Sequence, residues 1–324
     1  MKILAPLSQV DNYIPLVEAG ADEFFAGVFP YEWIKKYNAV FPINRREYIF
    51  GNCNFSSLSS MKTLGKMIEK YGISVKIAFN SHYYLQEQYP MLVDVIKQLM
   101  SLGFTTFIIS DIALISFLRE HGIDCTIHLS GELQVLSEYS LRFLNQYKVE
   151  RLVFPRRARM SDIEQIIKFA GEPNQEFEAF MLNSFCPFDG AFCNAVHCDE
   201  IKHLCWVKAA MGTYGEVSDH FKTVKENIPQ YLQSMQYSDE HTGDGGCEGC
   251  GLCAMKELER IGITNLKVVG RGVPLEDIVR DIKMVRDVII MSKEIDDNYT
   301  FSKAVKDKYF NGDCSKRLCY YPKD

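Results

Sequence analysis

Seven cysteines fall in two short stretches of this 324-residue chain. "NSFCPFDGAFCNAVHCDEIKHLCW" (residues 183–206) holds Cys186, Cys193, Cys198 and Cys205, and "CEGCGLC" holds Cys247, Cys250 and Cys253. Thiolates are soft ligands, suited to zinc or to iron–sulfur clusters. The C-x2-C-x2-C run is part of the bacterial ferredoxin spacing, in which successive cysteines clasp a cubane cluster. Neither stretch has the paired C-x2-C arms of a zinc finger. Cysteine-only ligation therefore points to an iron–sulfur centre, with a structural zinc stapling a long insertion as the alternative. His197 and His203 lie among these thiols and read more plainly as solvated loop residues. Cys314 and Cys319 form a separate C-x4-C pair beside Tyr320 and Tyr321, either a second metal pair or metal-free surface thiols. Cys53 and Cys125 stand alone and read as small buried hydrophobes.

Composition narrows the setting. Hydrophobic residues make up 47% and charged residues 24%, as in an ordinary globular chain. The net charge of −6 provides no global basic field for nucleic acid or anionic lipid, leaving only a local groove for such contacts. No apolar run approaches the roughly twenty residues of a membrane helix, and the opening "MKILAPLSQVDNY" is too short in its apolar run for a secretory signal. The expected location is cytoplasmic. There thiols stay reduced, so clustered cysteines imply metal or redox chemistry.

The elements that must position these thiols alternate regularly. Short β-rich apolar runs occur at residues 2–7, 22–28, 74–79, 104–110, 125–130, 151–155, 176–182 and 265–270. They lack clean alternation, as expected for parallel strands buried on both faces. Between them lie amphipathic segments such as "SSLSSMKTLGKMIEKYG", with a polar start and a glycine stop. Eight strand–helix repeats predict an α/β fold, a (β/α)8 TIM-like barrel with a long Cys-rich insertion after the seventh strand. A doubly wound open sheet is the runner-up, weakened by the missing G-x-G-x-x-G after the first strand. The barrel is expected over residues 1–292, including the cluster-binding insertion at 183–250, with a polar C-terminal tail at 293–324 lying across the surface. Residues 29–56 form a second long segment. Loops that follow barrel strands lie at the C-terminal mouth, so the cysteine insertion is expected over it.

Polar residues just after strands point into such a mouth, which selects Asn80, Asp111, His128, Glu132, Arg156, Lys267 and Arg271. Asn80, His128, Arg156, Lys267 and Arg271 are the candidate catalytic set. His128 is a candidate acid–base group, weighed against a satisfied core histidine. Arg156 and Arg271 converging on one mouth suit a carboxylate or phosphate, unless each pairs with an acid on a neighbouring loop. Arg45 and Arg46 read as solvated, with a reach over the mouth as the alternative. Neither H-E-x-x-H nor G-x-S-x-G occurs, so a peptidase reading has no motif behind it.

Four blocks, in order, resemble a known family. "ILAPLSQVDNYIPLVEAGADEFFAGV" is similar to the opening "LLAPAG…AGAD…YLG" of the collagenase-like peptidase family, the thirty-second of unassigned type. "NRREYIFGNCNFSSLSSMKTLGKMIEKYGISVKIAFN", "RLVFPRRARMSDIEQI" and "GITNLKVVGRGVPLEDIVRDI" resemble its next three blocks. The resemblance implies a cysteine-ligated [4Fe-4S] cluster and oxygen-independent hydroxylation, as in ubiquinone synthesis or RNA modification. It also implies prephenate as an oxygen donor, so the implied partners are an anionic, prephenate-like small molecule and RNA. Cys186, Cys193 and Cys205 match the family's cluster positions, and Cys250 is the favoured fourth ligand among Cys247, Cys250 and Cys253. Val269 replaces an acidic residue, and the family's arginine- and glycine-rich stretch is missing, which marks a divergent branch. A peptidase or peptide-binding protein with a structural metal remains the alternative. So does a non-catalytic partner subunit in a homo- or heterodimer.

Overall fold

The computed structural model describes residues 1–37, 41–45, 53–186, 249–312, 314 and 318–322. Eight parallel strands close on themselves: β1 (Lys2–Pro6), β2 (Glu23–Val28), β4 (Val75–Phe79), β5 (Thr106–Ile109), β6 (Thr126–Leu129), β7 (Arg151–Val153), β8 (Glu176–Leu182) and β10 (Asn265–Val268). The ring shuts where β10 pairs with both β1 and β8. This is the TIM-like barrel expected from the eight apolar runs, and each expected run contains one strand. Three short strands lie outside the ring. β3 (Asn54–Phe55) pairs with β2, β9 (Gly249–Cys250) runs antiparallel to β8, and β11 (Leu318–Cys319) lies parallel to β9.

Alternation along the strands separates two cores. On β2, Phe24 packs outward against Tyr13 of the first helix, with ring centroids 5.0 Å apart. Glu23, Phe25 and Gly27 instead meet groups inside the ring. The outer core is apolar and the inner one is rich in charge, so both strand faces are buried for different reasons. In a ring of eight strands side chains fill the interior rather than leave a pore.

The helices start where the residues permit. Ser57, Asp111, Ser137 and Asp297 each accept a backbone N–H of the helix that follows. Gly72 ends the helix Leu58–Tyr71 at φ 74°, where a Cβ would be strained. Asp111 does more than cap: its carboxylate also accepts from the Tyr84 N–H at 2.9 Å and the Tyr89 hydroxyl at 3.2 Å. It therefore anchors the loop after β4 to the helix after β5, rather than standing open in the mouth. Asp111→Ala is expected to cost about 2 kcal/mol, a cap plus a buried hydrogen bond. A urea midpoint unchanged from the parent protein would contradict that.

The polar tail is expected on the surface, but two of its residues are buried. Residues Asn298–Phe310 form a helix. Beyond it, Tyr320 and Tyr321 are 3% and 7% exposed. The physical reason is strand pairing: β11 satisfies its backbone on β9, and that register carries both rings into the barrel mouth.

Candidate functional site

The barrel interior rises from a charged floor to the mouth. Glu178 has no exposed surface, and its carboxylate meets Arg151 Nη1 at 2.9 Å and Lys267 Nζ at 2.7 Å. Arg151 also holds Glu23 at 2.8 Å and Glu176, and Lys76 reaches Glu23 at 3.2 Å. Burial alone would raise the Glu178 pKa, but the Lys267 and Arg151 charges outweigh it and hold the carboxyl below its usual range. Burial pulls the Lys267 ammonium down, against the Glu178 charge that supports it.

His128 stands opposite Arg151 in the β6–β7 register. It is 3% exposed, and its Nδ1 has no hydrogen-bond partner. Burial, then the charges of Arg151, Lys76 and Lys267, push its pKa well below 6.5. The imidazole is neutral in the fold but protonates in the unfolded chain below pH 6.5. Stability should therefore fall as pH drops below 6.5, by up to about 1.4 kcal/mol per pH unit for one proton. His128→Asn should flatten that slope between pH 6.5 and 5. An unchanged slope in denaturant titrations would assign the acid sensitivity elsewhere.

Above this floor, three cations share two aromatic rings. Lys267 Nζ lies 4.4 Å from the Phe25 ring centre and 5.9 Å from that of Phe180. The Arg156 guanidinium stacks over Phe180 at 4.2 Å, and that of Arg271 lies 5.8 Å from Phe25. Arg271 donates to the Asn54 and Asn44 side-chain oxygens, each at 3.0 Å. Gly27 makes this possible, since a Cβ there would fall 2.0 Å from Arg271 Nη1. Arg156 Nη1 holds Glu132 at 3.0 Å, and Arg45 Nε lies 3.7 Å from the same carboxylate. Asn80 accepts the Arg45 backbone N–H at 3.1 Å. Arg156 keeps one buried donor, Nε, with no partner.

The thiols meet this mouth where β8 ends. Asn183 and Ser184 adopt left-handed backbone (φ 67° and 50°), which turns the chain sharply towards Cys186. The turn is fixed from three sides. The Asn183 N–H donates to Gly249 O at 2.9 Å. Its side-chain amide donates to Asp281 at 2.6 Å, and its carbonyl accepts the Tyr320 hydroxyl. Cys250 pairs with Leu182 across the β8–β9 contact. Cys186, Cys250 and Arg156 all lie close enough to Tyr320 to act electrostatically on its hydroxyl. Cys253 lies farther along, its Sγ 3.8 Å from Ser302 O.

The structure thus brings Arg156, Lys267, Arg271 and Asn80 together at the mouth and places His128 in the layer below. It sets Cys186 and Cys250 beside Arg156. Cys193 and Cys205 lie outside the described residues, as do Cys198, Cys247 and Arg46. Among the described residues, no three His, Cys, Asp or Glu side chains are grouped to hold a metal ion. Arg45, expected to be solvated, faces Glu132 with 16% of its side chain exposed. Asn44, Asn54, Phe25, Phe180 and Tyr320 escaped the sequence reading. Phe180 alone carried a signal, the one-in-two rhythm of charged and aromatic residues in "EFEAFML".

A closed parallel barrel with thiols and arginines at its C-terminal mouth defines the class of protein. The match of the family model "Peptidase family U32" to residues 8–203 assigns the family. The chain belongs to peptidase family U32. Among curated proteins it is similar to tRNA hydroxylation protein P of Escherichia coli (strain K12), 24% identical over 185 residues. That match covers 57% of this chain and 37% of the relative, so the chain spans little more than a third of the relative's length. Among solved structures, the U32 peptidase Mk0906 aligns with TM-score 0.43 and 10% identity, over 56% of this chain and 68% of its own. A native KDPGal structure aligns with TM-score 0.46 and 8% identity, over 91% and 97%. No helix among the described residues is long and apolar enough to cross a membrane.

Proposed function

We propose that this protein is an iron–sulfur barrel enzyme that carries out oxygen-independent hydroxylation, or related redox chemistry, on an anionic or RNA-linked substrate. The observation that carries the reading is that the segments bearing Cys186 and Cys250 are both tied to Tyr320, which donates its hydroxyl to Asn183 O and its N–H to Cys250 O and packs on Phe185. The curated relative's name, a tRNA hydroxylation protein, supports the reaction class.

The donor set fits such a group as far as the described residues reach. Two cysteine-bearing segments from distant parts of the chain come together at the end of β8, and thiolate-only ligation suits iron–sulfur. Cys186 and Cys250 would hold the cluster together with Cys193 and Cys205. When bound, it would supply one-electron redox chemistry or an open iron site. The chain's own residues do the rest. Arg156 has a buried Nε without a hydrogen-bond partner among the described residues, a donor that a carboxylate or phosphate oxygen can satisfy. Lys267 and Arg271 add positive charge around the same rings. The Phe25 and Phe180 rings form apolar walls that exclude water and strengthen each charge–charge contact.

The test is anaerobic purification with iron and acid-labile sulfide analysis, paired with mass spectrometry of tRNA nucleosides from cells with and without the gene. About four irons per chain and a hydroxylated nucleoside that disappears with the gene are expected. Colourless protein holding one zinc would replace this reading with that of a structural metal.

A further inference from the structure

We propose that the C-terminal segment Leu318–Tyr321 is a built part of the thiol site, with Tyr320 as the positioning residue that sets Cys186 against Cys250. This inference rests on the iron–sulfur reading and extends it to a part of the chain outside its four assigned ligands.

Tyr320 ties together both backbones that carry the thiols. Its hydroxyl donates to Asn183 O, at the left-handed turn three residues before Cys186. Its own N–H donates to Cys250 O at 2.9 Å. Its ring packs on Phe185, the residue preceding Cys186, at 5.5 Å between centroids, and on Phe180 at 5.9 Å. Tyr321 adds a second pin, its hydroxyl donating to Phe180 O at 2.9 Å.

The opposing strand is shaped for these rings. A Cβ at Gly249 would lie 2.5 Å from the Tyr320 ring, and one at Gly251 would lie 2.8 Å from the Tyr321 ring. Both glycines flank Cys250. Two side chains are thus deleted on either side of a thiol so that two tyrosines can close over it. A tail that merely lay on the surface would need neither glycine. A cluster constrains its ligands' separation to a narrow range, and groups outside the ligand set hold such ligands in register. Tyr320 is the described residue that touches both ligand-bearing segments by side chain and backbone at once.

The experiment uses the full chain with Tyr320→Phe, which keeps the ring and removes the hydroxyl tie, and with Tyr320→Ala, which removes both. Anaerobic proteins are compared by iron and sulfide content, by EPR of the reduced cluster, and by the rate of iron loss to a chelator. The metal-free proteins are compared by iodoacetamide labelling of Cys250 and by thermal unfolding. For Tyr320→Phe the expected result is near-parental iron, an altered EPR signal and several-fold faster iron loss. Tyr320→Ala should hold little iron and label faster at Cys250, while its barrel still unfolds cooperatively. Parental EPR and chelator kinetics in both variants would overturn the inference while leaving the iron–sulfur reading intact. Parent protein without iron and sulfide would overturn that reading itself, and unchanged Cys250 labelling in Tyr320→Ala would then refute the tail's structural role independently.

Discussion

Cys186→Ser or Cys250→Ser protein, purified without oxygen, is expected to lose its iron and its colour while keeping its fold. On the iron–sulfur reading proposed above, a serine hydroxyl is a hard, weakly acidic donor, and exchanging one thiolate for it removes a soft ligand from the set of four. The fold should survive because neither thiol lies on a strand of the ring, although Cys250 is itself buried against the core. Cys186 lies past the end of β8, and Cys250 sits on the short strand that crosses it. Cys125 supplies the control: it is buried 4% exposed beside β6, among apolar neighbours. Cys125→Ser should cost on the order of 1 kcal/mol of stability and leave iron untouched. The measurement is iron per chain beside a circular-dichroism melt for all three variants. A Cys186→Ser protein with full iron would remove Cys186 from the ligand set.

Glu178→Leu should be the most damaging single change to stability. It strands Lys267 in the barrel interior and leaves Arg151 with two of its three carboxylate partners, Glu23 and Glu176. Breaking a buried ion pair from one side costs about 3–5 kcal/mol, because the remaining charge is neither solvated nor paired. Against a typical total of about 5–15 kcal/mol, that is enough to leave a sizeable unfolded fraction. Adding Lys267→Met to Glu178→Leu should recover part of the loss, since the stranded charge is then gone. Urea unfolding reads both effects. A Glu178→Leu midpoint within about 0.5 kcal/mol of the parent, the range of an ordinary surface change, would mean that water reaches this layer.

The same network sets an acid limit. Glu178, Glu176 and Glu132 are all held below 4.5 by neighbouring cations despite burial. Their stabilising contribution is complete above pH 4.5 and disappears as pH falls through their depressed values. Below pH 4.5 this loss adds to the one due to His128, which sets in earlier. Glu178→Leu protein should lack part of the steeper acid limb.

The order of short apolar runs and glycine-stopped amphipathic segments determined, by itself, the eight strands and the ring they close. Burial on both faces writes continuous hydrophobicity into a strand, and periodicity survives in one dimension. The cysteine types and spacing pointed to soft-metal ligand chemistry, because thiolate softness belongs to the residue and not to its surroundings. Only the tertiary structure decided which partners meet. Arg151 finds Glu23 from 128 positions away, and Arg271 finds Asn44 from 227. Ring closure alone sets those separations. Tyr320 reached the mouth by pairing a two-residue strand on β9, a contact too short to leave a pattern in the chain. Local signals record what each segment buries, whereas the identity of what it is buried against is a property of the closed barrel.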